Sequence, residues 1–202
     1  LNATLVETIN ITLTDTDTTK HVDTLTISDT ALKTVTITGN AGLTLTNTNT
    51  TVTSVDASAV TNTAGTAATG FNWTSGALAA ASTIKGTSTG GDVINAAAAV
   101  AAVTITEYAG TNTITGSSTI ASTLTGGKGV DTITGGAGND VIVGGGGADV
   151  ITGKGGADKI TLSGTTSKIV NVALLDSGAN TSTTIQTAEL TSTFDVVSGA
   201  AA

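Results

Sequence analysis

Apolar residues alternate with threonine through residues 1–60: Ile9, Ile11 and Leu13, then Leu25 and Ile27, Val35 and Ile37, Leu43 and Leu45, with Val52 and Val55 closing the stretch. A period of two predicts strands that bury one face and solvate the other. The steps from Ile27 to Ile37 and from Val35 to Leu43 hold a strand and a turn but no crossover helix. That spacing fits a meander or the coils of a solenoid, and we read it as a solenoid.

Residues 61–125 are less regular, and we read them as an irregular continuation of the solenoid. Ile94, Val103, Ile114 and Leu124 follow one another at nine to eleven residues. Ala77–Ala81 and Ala96–Ala102 fit either a short helical turn or a tightly packed strand. Phe71 and Trp73 stand in a Thr/Gly/Ala stretch, where two large rings plug an irregular coil of a core otherwise made of small residues. The alternative is that they touch a neighbouring molecule.

Residues 126–161 are periodic. Ile133, Ile142, Ile151 and Ile160 stand nine apart, and Asp131, Asp140, Asp149 and Asp158 each precede one of them by two. Beyond, residues 162–202 lose the pattern and are expected to supply closing strands. The whole reads as all-β: a right-handed parallel β-helix or β-roll solenoid.

Composition agrees with strands and narrows the function. The chain has 47 Thr and 26 Gly in 202 residues, no Pro, Cys, Met or Arg, and only 2% aromatic residues. A core of this kind is thin and built from Ile, Val, Leu and Ala, and β-branched residues favour pleated surfaces over helices. Without cysteine there is neither a disulfide framework nor a thiolate metal site. A formal charge of −8 without arginine argues against nucleic acid, which needs clustered cations, and points to cations as ligands. The longest apolar run, Ala96–Val103, is far shorter than the roughly 18 to 20 residues of a membrane span, and no signal peptide is visible. With no Met at position 1 or elsewhere, a processed or excised piece is expected.

In register, the periodic region is "GGKGVDTIT", "GGAGNDVIV", "GGGGADVIT" and "GKGGADKIT". Glycines open tight, carbonyl-rich turns, and the last three residues form a minimal strand with its isoleucine inward. Two units make an 18-residue coil. Parallel strands of successive coils lie about 4.8 Å apart, so Asp131 comes over Asp149 and Asp140 over Asp158. Carboxylates stacked so closely repel. A hard divalent cation between turns converts the repulsion into binding, and an oxygen-only, flexible cage selects Ca²⁺.

These four units resemble the RTX calcium repeat G-G-x-G-x-D-x-U-x. The resemblance implies ions between turns one coil apart, held by aspartates and alternating turn carbonyls. The implied ligands are Gly126, Lys128 and Asp131 with Gly145, Gly147 and Asp149, then Gly135, Ala137 and Asp140 with Lys154, Gly156 and Asp158. In the fourth unit Lys154 replaces the second glycine, and a strained turn is expected there. The units on either side, 117–125 and 162–170, lack the acid, so about two complete sites are expected. The leading segment, "VETINITLTDTDTTKHVDTLTISDTALKTVTITGNAGLTLTNTNTTVTSVDASAV", resembles the Thr/Ala/Asn-rich solenoid of calcium-dependent bacterial surface-layer (S-layer) proteins. That family implies type I secretion, calcium-triggered folding outside the cell, and self-association into a lattice on lipopolysaccharide through an anchor outside this chain.

His21, with Asp15, Asp17 and Asp23 close in sequence, reads as part of a solvated loop, the alternative being one more calcium site. No nucleophile elbow or thiol is present, and the paired carboxylates suit metal better than acid/base work. An enzyme is not expected in this chain. Three classes stay open: a surface lattice protein, which we favour; the calcium-binding tail of a secreted hydrolase or toxin; and an adhesin or ice-binding solenoid displaying its Thr arrays.

Overall fold

The computed structural model describes residues 5–16, 22–61, 70–163, 168–169 and 184–188. The expected loop residues Asp17 and His21, and Ser167 at the acid position of the last unit, lie outside them. Among the described residues, seventeen strands alternate between two parallel sheets. One sheet stacks β1 (Thr8–Leu13), β3 (Thr34–Gly39), β5 (Ser54–Val60), β7 (Ser82–Lys85), β9 (Val103–Thr106), β11 (Ser122–Lys128), β13 (Val141–Gly146), β15 (Lys159–Ser163) and β17 (Thr184–Ala188) in that order. The other stacks β2 (Val22–Ile27), β4 (Gly42–Asn47), β6 (Phe71–Thr74), β8 (Val93–Asn95), β10 (Thr113–Thr115), β12 (Thr132–Thr134), β14 (Val150–Thr152) and β16 (Lys168–Ile169). Each strand pairs with the one two places on, so every coil contributes one strand to each sheet. The result is the parallel β-solenoid that the alternation predicted. Among the described residues there is no helix, and so none long and apolar enough to cross a membrane.

Between the sheets, alternate side chains meet in one continuous core that runs from Leu13 to Leu162. Val35, Val55, Ile84, Ile105, Leu124, Ile142 and Ile160 come from one sheet, and Leu45, Trp73, Ile94, Ile114, Ile133 and Ile151 from the other; none is more than 1% exposed. Phe71 and Trp73 belong to this core on β6, each 1% exposed, so they face no neighbouring molecule. The alanine runs form neither helix nor strand: both lie in coil corners, where Ala99 donates its N–H to the Ala96 carbonyl at 2.9 Å.

The coils tighten along the axis. Hydrogen-bonded positions in adjacent coils are 21 residues apart at Phe71 and Asp92, 20 at Asp92 and Asn112, 19 at Asn112 and Asp131, and 18 at Asp131 and Asp149. The loss comes from the corners, because the three-residue strands β8, β10, β12 and β14 stay in exact register. The irregular middle is thus the same solenoid with longer corners, and strand β11 runs through the start of the glycine-rich repeats without a break.

Candidate metal centre

The 18-residue coil brings the four aspartates together in two columns. Strand pairing of Thr132 with Val150 puts Asp131 over Asp149, and pairing of Val141 with Lys159 puts Asp140 over Asp158. All four are at most 1% exposed, so they sit inside the turns and not on open edges. Each column is a ladder: the Asp131 N–H donates to Asp149 Oδ1 at 3.1 Å, and the Asp140 N–H to Asp158 Oδ1 at 3.0 Å. One oxygen of each lower carboxylate is thereby spent on the coil before it.

The columns extend beyond the repeats, which the sequence reading did not pick up. Above Asp131 stand Asn112 and Asp92, joined by Asn112 N–H to Asp131 Oδ1 at 2.9 Å and Asp92 N–H to Asn112 Oδ1 at 2.9 Å. Above Asp140 stands Ser122, whose N–H donates to Asp140 Oδ1 at 2.7 Å. The signal was present: Asp92, Asn112 and Ser122 each precede a core residue, Ile94, Ile114 or Leu124, by the same two positions as the repeat aspartates.

Comparing coils shows what the aspartates lack. In the Asn112 coil, the side-chain Nδ2 donates to the Gly126 carbonyl one coil on, at 3.1 Å. In the next coil, Asp131 Oδ2 takes that place and faces the Gly144 carbonyl: both oxygens lie 2.5 Å from the point where a Cβ on Gly126 would stand. Two acceptors face each other, and Asp131 Oδ2, buried, has no hydrogen-bond partner. On the other edge Asp140 Oδ2 and the Gly153 carbonyl stand 2.3 and 2.7 Å from the corresponding point at Gly135, but here Oδ2 also accepts from the Gly136 N–H at 2.8 Å. Glycine is required here because any side chain would fill this space.

A donor or a cation must sit between such oxygens. Among the described residues, no three acidic, histidine or cysteine side chains converge closely enough to hold an ion by themselves. An ion held here would need turn carbonyls to complete its shell, as suits calcium. The carbonyls nearest the Asp131 and Asp140 oxygens in these turns include those of Gly144 and Gly153, which the sequence reading did not name. Of those it named, the Lys128 carbonyl accepts from the Gly110 N–H at 2.9 Å and that of Gly126 from Asn112; each keeps a second lone pair. Gly145 and Gly147 stack on Gly127 and Gly129, all four with positive φ, so closely that a Cβ on Gly145 would stand 1.8 Å from the Gly127 carbonyl oxygen. On the opposite edge Gly135, Ala137 and Gly156 lie in the stacked corners, with Gly156 against Gly138. Lys154 has φ +68, a left-handed conformation that costs a side-chain-bearing residue about 1–2 kcal/mol.

Burial and like charge make ionised aspartates costly in these turns. Burial pushes the Asp131 carboxyl up to about 6; hydrogen bonding from Asn112 opposes this and the charge of Asp149 adds to it. Burial likewise raises Asp158 to about 6; the hydrogen bond from the Asp140 N–H opposes this and the charge of Asp140 adds to it. Asp140 is raised less, again by burial, because the Gly136 and Ser122 amides and the charge of Lys154 favour its ionised form. A cation between the turns removes the cost that burial and like charge impose.

Comparison with curated proteins and with solved structures gave no match. Residues 125–160 match the model of the RTX calcium-binding nonapeptide repeat, in four copies, and these repeats are calcium-binding: Ca²⁺ is the ion their turns accommodate.

Proposed function

We propose that this chain is a structural solenoid that folds on binding calcium outside the cell and self-associates into a two-dimensional surface lattice, as an S-layer protein does. The observation that carries the calcium part is the facing pair of acceptors at Asp131 and Gly144, where Asp131 Oδ2 has no hydrogen-bond partner. Without an ion these glycine-rich turns pay a large backbone entropy cost and confront oxygen with oxygen. Extracellular calcium modules bind at roughly 10⁻⁴ to 10⁻³ M, so the turns would be filled outside a cell and empty inside it. RTX repeats are typical of secreted, extracellular bacterial proteins, and a β-roll of them is a non-catalytic motif.

The lattice part is supported by the resemblance of the leading segment to S-layer solenoids and by the ordered stack of parallel strands among the described residues. Its anchoring to lipopolysaccharide would belong to a region outside this chain. One feature favours a second reading: Thr8 pairs with Thr34 and Thr12 with Thr38 in exact register on a solvated face, the kind of hydroxyl array that could order ice. The test adds millimolar calcium to purified protein, follows circular dichroism, and looks for order by electron microscopy. Gain of strand signal followed by sheets or tubes is expected. Folding without assembly would refute the lattice and favour the tail of a secreted hydrolase or toxin, and thermal hysteresis would favour ice binding. A spectrum indifferent to chelator would overturn the calcium reading itself.

A further inference from the structure

The turn just before the first repeat, residues 107–112, has the repeat geometry without the repeat sequence. Gly110, at φ +106, continues the column of Gly129 and Gly147, at φ +125 and +136. Ala109 bridges to Lys128, and Asn112 continues the column of Asp131. Where the repeats begin with Gly126 and Gly144, this turn begins with Glu107, whose N–H donates to the Thr125 carbonyl at 2.9 Å.

The Glu107 side chain is folded into the solenoid and is 2% exposed. Its carboxylate occupies the space over Gly86 in the preceding coil: a Cβ there would stand 1.8 Å from Oε2 and 2.4 Å from Oε1. As a carboxylate, neither oxygen receives a hydrogen bond; protonated, the group would hydrogen-bond Asp92. Its neighbour is Asp92, a second buried carboxylate, fixed by the Phe71 N–H at 2.6 Å, the Thr87 N–H at 2.7 Å and the Thr87 hydroxyl at 2.9 Å. The Thr87 hydroxyl also lies 3.0 Å from the other Asp92 oxygen, so it is shared between the two. Burial first, then the charge of Asp92 and a side-chain hydrogen bond with it, then the charge of Asp131, push the Glu107 carboxyl up to about 11. Lys33 and Lys85 pair elsewhere, with Glu7 and Asp56.

Two bare, buried oxygens beside another carboxylate call for a positive partner. We propose that Glu107 and Asp92 hold a further calcium ion one coil before the first nonapeptide, Glu107 supplying by side chain the oxygens that the repeats draw from their turn backbone. Calcium suits the place better than magnesium because its shell tolerates an irregular cage of carboxylate, carbonyl and water oxygens. Calcium ordering then reaches back to the coil of Gly86, beyond the recognisable repeats.

The experiment measures calcium stoichiometry by equilibrium dialysis on the full chain and on Glu107→Gln. It also measures terbium luminescence excited through Trp73, whose strand partner Ile94 stands two residues after Asp92. The expected result is one calcium fewer per chain and loss of most ring-sensitised emission in the variant, with the strand signal in calcium kept. Equal calcium counts and equal emission would overturn the proposal and leave Glu107 as a buried neutral acid. If Glu107→Gln does not fold, Asp92→Asn is measured in the same way: a lost ion supports the site, an unchanged count overturns it. Should the repeats themselves fail to bind calcium, wild-type stoichiometry falls while the ring-sensitised signal persists, so the two readings fail separately.

Discussion

Replacing Asp131 by asparagine should stabilise the calcium-free protein and weaken its response to calcium. Asn112 shows how: an asparagine in this column donates Nδ2 to the first-place glycine carbonyl of the next coil while its Oδ1 still accepts from the coil before. At position 131 the same side chain would keep the bond from the Asn112 N–H and turn the facing oxygens of Asp131 and Gly144 into a donor and an acceptor. Relief of a buried unsatisfied acceptor is worth about 1–3 kcal/mol, so the variant should gain about 2 kcal/mol in chelator. With calcium at about tenfold over its dissociation constant, a filled site contributes about 1.4 kcal/mol, which the variant forfeits. Urea unfolding followed by circular dichroism, in chelator and in calcium, reads both quantities. An equal loss of stability under the two conditions would refute the reasoning, because Asp131 would then matter only as an acceptor for the Asn112 amide.

Lys154→Gly, measured in calcium, should raise stability by about 1 kcal/mol by relieving a left-handed backbone; a lower unfolding midpoint would show that its charge near Asp140 matters more. Ile142→Ala should cost about 2–5 kcal/mol, since the side chain is fully buried between Leu124 and Ile160. Val141→Ala, at a position 39% exposed, should stay within about 0.5 kcal/mol, and equal losses would contradict the inward register. In chelator, stability should fall as pH rises from about 4 to 7: Asp131 and Asp158 are raised from 3.8 to about 6, so the folded state binds more protons across that window. Calcium should flatten or reverse this slope, as ionised carboxylates are the form it binds; a metal-free melting temperature that climbs with pH would be the contrary result.

Much of this molecule was legible along the chain because a solenoid is nearly one-dimensional. Each coil contacts only its neighbours, so Ile133, Ile142, Ile151 and Ile160, at a fixed interval, determine which faces are buried and which aspartates stack. The same locality made the calcium chemistry readable from a nine-residue period. Where the period loosens, as through residues 71–112, corner length varies while strand register does not, and a linear reading sees only irregularity in what is the same stack. The folded chain alone decided which oxygens face each other: hydrogen bonds from the preceding coil consume one oxygen of Asp131, and the missing Cβ of Gly126 sets its other oxygen against the Gly144 carbonyl. It also decided that Glu107, unremarkable among threonines and alanines in the sequence, is buried beside Asp92. Burial and facing are properties of adjacent coils, and they depend on corner lengths that no fixed period encodes.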